Sequence, residues 1–243
     1  MREPNAPLTS LTRRDLIGLA AAAIAGATLT WPRGAAAAPP APGLRRRPDE
    51  ELTDLVEGNK RFMSGEATGP RRRPQDFAAL AEGQNPTAVV VSCSDSRVPP
   101  ELIFDQGVGD LFVVRVAGNV VDKAGFAVKG SIEYAVAELG TPLIMVLGHT
   151  GCGAIKAAIQ HIDAHDTLPG SINELVDILK PVVARVRNKG GDLLANAIRA
   201  NVQAGVDRLN TLAPVLAPAV KQGRLKVVGG VYDLATGAVT MVR

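Results

Sequence analysis

Two short stretches of the chain carry side chains that can do chemistry. The first is Cys93-Ser94-Asp95-Ser96-Arg97 and the second is Gly148-His149-Thr150-Gly151-Cys152-Gly153-Ala154. In an extended segment alternate side chains share a side, so Cys93 and Asp95 face one way, as two metal donors or as a donor with its gatekeeper. Arg97 follows at the same interval, and a guanidinium that close holds a carboxylate bidentately and keeps it ionised. In the second stretch His-x-x-Cys lets an imidazole and a thiolate converge. A helix starting after Cys152 is expected to lower that thiol's pKa, while Gly151 and Gly153 permit a tight turn and close approach. One His and two Cys, with Asp95 as a removable fourth donor, is the borderline-soft set that selects zinc. Three firm donors and one labile position are the mark of a catalytic centre, because structural zinc sites are usually closed.

Each piece alone is weak. The glycine-rich loop also fits a phosphate cradle, and Cys93 and Cys152, the two cysteines of the chain, also fit a disulfide. A disulfide, however, explains none of Asp95, Arg97 or His149. His161 and His165, four apart, offer a further metal or proton-relay pair, but solvated surface histidines are the plainer reading. Asp105 and Asp122 read as solvated loop acids, and Asn119 as a residue serving backbone geometry.

Something must bring the two stretches together. Ala88 to Val91, Leu111 to Val114 and Leu143 to Leu147 are short, β-branched apolar runs, the pattern of strands buried on both faces. Lys226 to Tyr232 makes a fourth strand, and the turn from Asp233 to Gly237 sends 238–242 back antiparallel to it. Helical periodicity covers 50–63, ended by Gly65, then 75–82, 127–139, 153–166, 172–188 and 192–210. Strands alternating with helices predict an α/β fold: a mainly parallel four-stranded sheet with an antiparallel edge strand, flanked by helices, behind an N-terminal helical arm. The chemistry falls at the carboxyl ends of the first and third strands, where open α/β sheets hold ligands.

With 46% hydrophobic and 21% charged residues among 243, the chain has the composition of a globular protein with one sizeable core. The beginning is different. Thr12-Arg13-Arg14-Asp15-Leu16-Ile17 is a twin-arginine pattern followed by an Ala- and Gly-rich apolar run to Leu29, too short to span a membrane. Residues 1–37 therefore read as an export signal cut before Ala38, after Ala35-Ala36-Ala37, and an uncut anchor is the alternative. The product is expected outside the cytoplasm, periplasmic or extracellular, without stable membrane insertion. Residues 38–48 are an Ala/Pro-rich, then basic, linker, and 49–243 form the catalytic domain. Cutting removes four arginines and two acids from 27 bases and 24 acids, which leaves a formal charge of +1 and no case for nucleic acid.

Cys-Ser-Asp-Ser-Arg, followed 56 residues after its cysteine by His-Thr-Gly-Cys-Gly, resembles the two-part signature of the β-carbonic anhydrases. The resemblance runs from Leu52 to Arg243 through Glu57 to Phe62, Arg115 to Asn119, Ile132 to Ala135 and Tyr232 to Gly237. It implies zinc held by Cys93, His149 and Cys152, a dyad of Asp95 and Arg97 governing the fourth position, and reversible hydration of carbon dioxide to bicarbonate. It also implies a homodimer or higher even oligomer, with an N-terminal helix embracing the partner and the site at the subunit boundary. Gln84 matches the family's amide donor to substrate. Phe112, Ala117 and Tyr134 match its apolar pocket, with Ala117 smaller than the expected valine, and Gly153 completes the substrate-facing set. One subclass of the family carries a second bicarbonate site built partly from a tryptophan three residues before the first zinc cysteine. Val90 stands at that position here, with Arg115 left as the anion-attracting group. A carbon disulfide or carbonyl sulfide hydrolase on the same scaffold, and a non-catalytic zinc module, are the alternative functions.

Overall fold

The computed structural model describes residues 47–242 apart from Ala79 and His165. The stretches expected to be an export signal, 1–37, and most of the expected linker, 38–48, lie outside the described residues, as does His165.

Helix α1 spans Pro48–Ser64. It opens on Pro48, whose missing N–H is no loss in the first turn, and Glu50 reaches back to the Arg47 N–H at 3.0 Å. A short helix α2, Pro74–Ala78, is less than the expected 75–82. Strand β1 is Ala88–Ser92, helix α3 Pro100–Ile103, strand β2 Leu111–Arg115 and helix α4 Phe126–Ala137. Strand β3 is Leu143–His149, followed by α5 Gly153–Gln160, α6 Ile172–Val186, α7 Leu193–Asn210 and α8 Leu216–Lys221. Strands β4, Lys226–Tyr232, and β5, Val239–Val242, close the fold. The sequence missed α3 and α8, which at four and six residues are too short to show a period. Helix α5 stops at Gln160, six residues short of expectation, and His161 caps its end.

The sheet order is β2-β1-β3-β4-β5, parallel except for β4 with β5. From β1 the chain steps outward to β2, then crosses back over β1 to lay down β3. The carboxyl ends of neighbouring β1 and β3 therefore diverge at a switch point and leave a crevice. Both strands are buried at every position, because helices cover both faces. One face packs Val89, Val91, Ile144 and Val146 against Ile132 of α4, Val202 and Leu209 of α7 and Leu216 of α8. The other packs Val90 and Met145 against Leu55 of α1, Ile103 and Phe104. Strand β2, at the edge, is only half-buried.

Helix α1 lies on its own chain's sheet. Gly58 lets it touch the turn after α3, since a Cβ there would stand 1.8 Å from the Phe104 carbonyl oxygen. Buried Asn59 donates to the carbonyls of Ile103 at 3.1 Å and Gly237 at 2.9 Å and accepts from the Val239 N–H at 2.9 Å. Asp105 overturns the expectation of a solvated acid. It is 1% exposed and accepts from Arg61 Nε at 2.7 Å, Thr68 N–H and Oγ at 3.0 Å, and Gly69 N–H at 2.9 Å. Burial alone would push its pKa up, but these donors together hold the carboxyl well below the usual range. Asp122 is exposed as expected, 3.3 Å from Arg208 Nε.

Candidate metal centre

Register places the two motifs side by side. Ser92 of β1 pairs with Leu147 of β3, so Cys93 leaves β1 beside the end of β3 that carries His149. A turn with Gly151 at φ +69° then delivers Cys152 to the start of α5. Gly153 has no such requirement: it is exposed, and nothing lies within 4 Å of where a Cβ would stand. The loop is tied to the closing hairpin, since Thr150 N–H donates to the Tyr232 carbonyl at 2.9 Å and Thr150 Oγ accepts from Leu234 N–H at 3.0 Å.

The donor atoms of Cys93, His149 and Cys152 lie within 4.8 Å of one another, all three side chains are buried, and both cysteines are free thiols. His149 Nδ1 sits 2.9 Å from the Thr150 carbonyl, which can only accept, so the ring hydrogen is on Nδ1. Nε2 is then a lone pair, buried, with no hydrogen-bond partner. An orphaned buried acceptor between two thiols is what a thiophilic dication satisfies, and this donor set fits zinc. The expected pull of the helix start on the Cys152 thiol is present but is outweighed by its shared hydrogen bond with Cys93 and by burial. Donation from the Cys152 thiol, against the effect of burial, brings the Cys93 thiol down, helped by the N–H groups of Asp95 and Gly118. Cys152 is pushed up by that same shared hydrogen bond and by burial. The N–H groups of Ile155 and Ala154 at the helix start pull the other way and lose.

Asp95 stands beside this trio without joining it. Arg97 holds both its oxygens, Nε to Oδ1 at 2.9 Å and Nη2 to Oδ2 at 2.8 Å, and the Arg97 N–H adds a third bond at 3.0 Å. The guanidinium, ahead of the opposing effect of burial, keeps Asp95 well below the ordinary carboxylate range. Its Oδ2 is 3.9 Å from His149 Nε2, so the carboxylate borders the space that the three donors enclose.

The remaining candidates are spread out. Gln84 is exposed and precedes the amino end of β1, the far end of that strand from Cys93. Phe112 and Tyr134 touch with ring centroids 6.4 Å apart, on edge strand β2 and on α4, with Tyr134 49% exposed. Ala117 is half-buried in the turn after β2. Val90 is fully buried inside the sheet packing. Arg115 is committed to the backbone, with Nε donating to the Cys93 carbonyl at 2.9 Å and Nη2 to the Asp95 carbonyl at 2.5 Å. Arg115 as a brace, and the Gly118 N–H on Cys93 Sγ at 3.3 Å, were missed from the sequence because their partners are backbone atoms of remote segments. His161, at the end of α5, pairs with Asp166 at 2.6 Å, apart from the metal-binding trio.

Fold and donors together define a metalloprotein with its centre at the switch point of an open α/β sheet. A family model for carbonic anhydrases matches residues 88–239. The chain is 44% identical over 184 residues to carbonic anhydrase 2 of Mycobacterium tuberculosis, covering 75% of this chain and 87% of the relative. It is 40% identical over 187 residues to a carbonic anhydrase of Mycolicibacterium smegmatis, covering 77% and 89%. Among solved structures it is similar to the β-carbonic anhydrase CcaA, with a TM-score of 0.61, 31% identity, and coverage of 78% of this chain and 94% of that one. It is also similar to one of the tetrameric β-carbonic anhydrases of Sordaria macrospora, with a TM-score of 0.63, 26% identity, and coverage of 79% and 97%. The chain belongs to the β-carbonic anhydrase family.

Proposed function

We propose that this chain hydrates carbon dioxide reversibly to bicarbonate and a proton, with zinc held by Cys93, His149 and Cys152, in an assembly of an even number of copies outside the cytoplasm. The observation that carries the catalytic reading is the buried, unpartnered His149 Nε2 facing two thiols, with a carboxylate poised 3.9 Å away and held off by its own arginine. Zinc there supplies the Lewis acidity that ionises water near neutral pH and offsets charge growing on the substrate's oxygen. Asp95 accepts a hydrogen bond from the attacking oxygen and turns its lone pair toward carbon, and Arg97 keeps the carboxylate ionised and in place. Thr150 fixes the tautomer that makes His149 a donor through Nε2.

The even assembly is supported by where the other residues lie. Gln84 is separated from Cys93 by the whole of β1, about 17 Å of strand, which supports a role at a neighbouring copy's centre over one at its own. Phe112 and Tyr134, on the exposed edge at β2 and α4, are placed to give that centre its apolar wall. The twin-arginine pattern before an apolar stretch supports export. Stopped-flow carbon dioxide hydration on residues 38–243, with zinc measured, tests the function. One zinc per chain and fast turnover are expected, and a zinc-loaded protein without hydration activity refutes the reading.

A further inference from the structure

The Cys93 sulfur accepts from two backbone N–H groups, that of Asp95 at 3.4 Å and that of Gly118 at 3.3 Å. The first follows from the local path of the chain. The second comes from the turn after β2 and has to be held in place by something. That turn is tight: Asn119 N–H donates to the Val116 carbonyl at 2.9 Å and Gly118 has φ 72° and ψ 17°, a conformation that side chains disfavour. A Cβ on Gly118 would stand 3.1 Å from Ala154 Cβ and 3.2 Å from Leu179 Cδ1, so the turn is also pressed against α5 and α6.

Its next peptide unit is clamped from a third helix. Asn201 of α7, 7% exposed, donates through Nδ2 to the Gly118 carbonyl at 2.7 Å. The two peptide units that meet at the Gly118 Cα are thereby both committed, one aimed at the sulfur and the other pinned by α7. Only the two soft dihedrals of a glycine join them, so the N–H stays on the sulfur only while the carbonyl clamp and the packing on Ala154 and Leu179 restrict both dihedrals together. Without the amide of Asn201 the Gly118 carbonyl is a buried acceptor lacking a side-chain donor, and the Asn119 N–H on the Val116 carbonyl is left holding that peptide unit.

We propose that Asn201 is a positioning residue of the metal centre, holding the Gly118 N–H on the Cys93 thiolate and so setting that ligand's orientation and donor strength. An N–H bond to a thiolate withdraws charge from sulfur and restricts its rotation, and such outer partners are worth about 10- to 100-fold in metal affinity. The inference rests on Cys93, His149 and Cys152 being the zinc ligands. Asn201 also borders a cavity of about 390 Å³, together with Val121, Asp122, Arg208 and Thr211. In Asn201→Ala, water from that cavity can replace the lost amide, whereas Asn201→Leu keeps the volume and shuts water out.

Zinc dissociation constants from chelator competition, and the sulfur-to-cobalt charge-transfer absorption of the cobalt-substituted protein, are measured for wild type, Asn201→Leu, Asn201→Ala and Leu209→Ala. Leu209 is a fully buried core residue farther along the same helix and controls for lost stability. The expected result is a zinc dissociation constant raised about tenfold or more in Asn201→Leu, less in Asn201→Ala, with a shifted charge-transfer band. Leu209→Ala should lower Tm and move neither. Should Asn201→Leu fail to fold, Asn201→Ala against the same control decides. Wild-type affinity and an unshifted band in the Asn201 variants, with Tm lowered as in the control, overturn the inference and leave the ligand assignment standing. Undiminished zinc in Cys93→Ser overturns both.

Discussion

At the scale of single residues, the centre separates groups that hold the metal from groups that govern what it does. Cys93→Ser, His149→Ala and Cys152→Ser each remove a donor from a three-donor set and should lose zinc and turnover together, checked by metal analysis beside stopped-flow rates. Asp95→Asn and Arg97→Ala should behave differently, because the carboxylate is bonded to its arginine and lies outside the donor trio. Turnover is expected to fall about 10- to 100-fold in both with zinc retained at one per chain. Loss of zinc in either would make Asp95 an obligatory ligand. Val90 bears on regulation. Its place is filled by core packing and Arg115 is engaged on two carbonyls, so neither offers the indole-and-arginine anion site of the bicarbonate-inhibited subclass. The activity of wild type should fall on acidification along a single titration, and a steep profile that added bicarbonate sharpens would contradict this.

Among the elements, α1 is attached by polar groups as well as by apolar packing. Its apolar contacts are Leu52, Leu55 and Phe62, while Asn59 and the Arg61–Asp105 pair bind it to the turn after α3 and to the closing hairpin. Asp105→Ala leaves Arg61, Thr68 and Gly69 without their shared acceptor and should cost about 3 kcal/mol in urea unfolding at pH 7. The pH dependence follows from the sign of the shift. The folded-state pKa of Asp105 lies below the unfolded value of about 3.9, so its contribution is complete above that value and disappears as pH falls toward the folded pKa. The stability gap between wild type and Asp105→Asn should therefore hold from pH 7 to about pH 5 and narrow progressively below about pH 4. A gap independent of pH down to 3 would show that the carboxylate's charge is not what matters.

At the scale of the whole molecule, the open question is which copy supplies which part of a centre. If Gln84 serves the neighbour, Gln84→Leu and Cys93→Ser proteins, each of low activity, should complement when unfolded, mixed and refolded. The mixed dimer joins an intact zinc site to an intact Gln84, and random pairing restores about a quarter of wild-type activity. No gain on mixing would place Gln84 in its own chain's site or outside catalysis. Export has a separate test. Arg13→Lys with Arg14→Lys should leave the precursor in the cytoplasm, as fractionation would show. Because the twin-arginine route carries folded cargo, zinc can occupy both thiolates before they meet oxidant, and the exported protein should contain no Cys93–Cys152 disulfide by mass spectrometry.

The α/β class, the five strands and the Cys93, His149 and Cys152 donors were legible from residue order, because β-branched runs, helical periods and ligand spacings are local patterns. The sequence misjudged whatever depended on what lies across the fold. Asp105 looked solvated beside Gly107 and proved buried, because its donors come from α1 and the loop at 68–69. The pull of the helix start on the Cys152 thiol proved weaker than the opposing effect of burial and of the hydrogen bond shared with Cys93, a neighbour in space and not in sequence. Arg115 and Asn201 carried no motif at all, since each acts on a backbone carbonyl whose position only the packed sheet and helices determine. Residue types and spacing set which chemistry is possible here; the meeting of β1 and β3 at a switch point, which brings together Cys93 and His149 from 56 residues apart in the chain, decided that it has a place to occur.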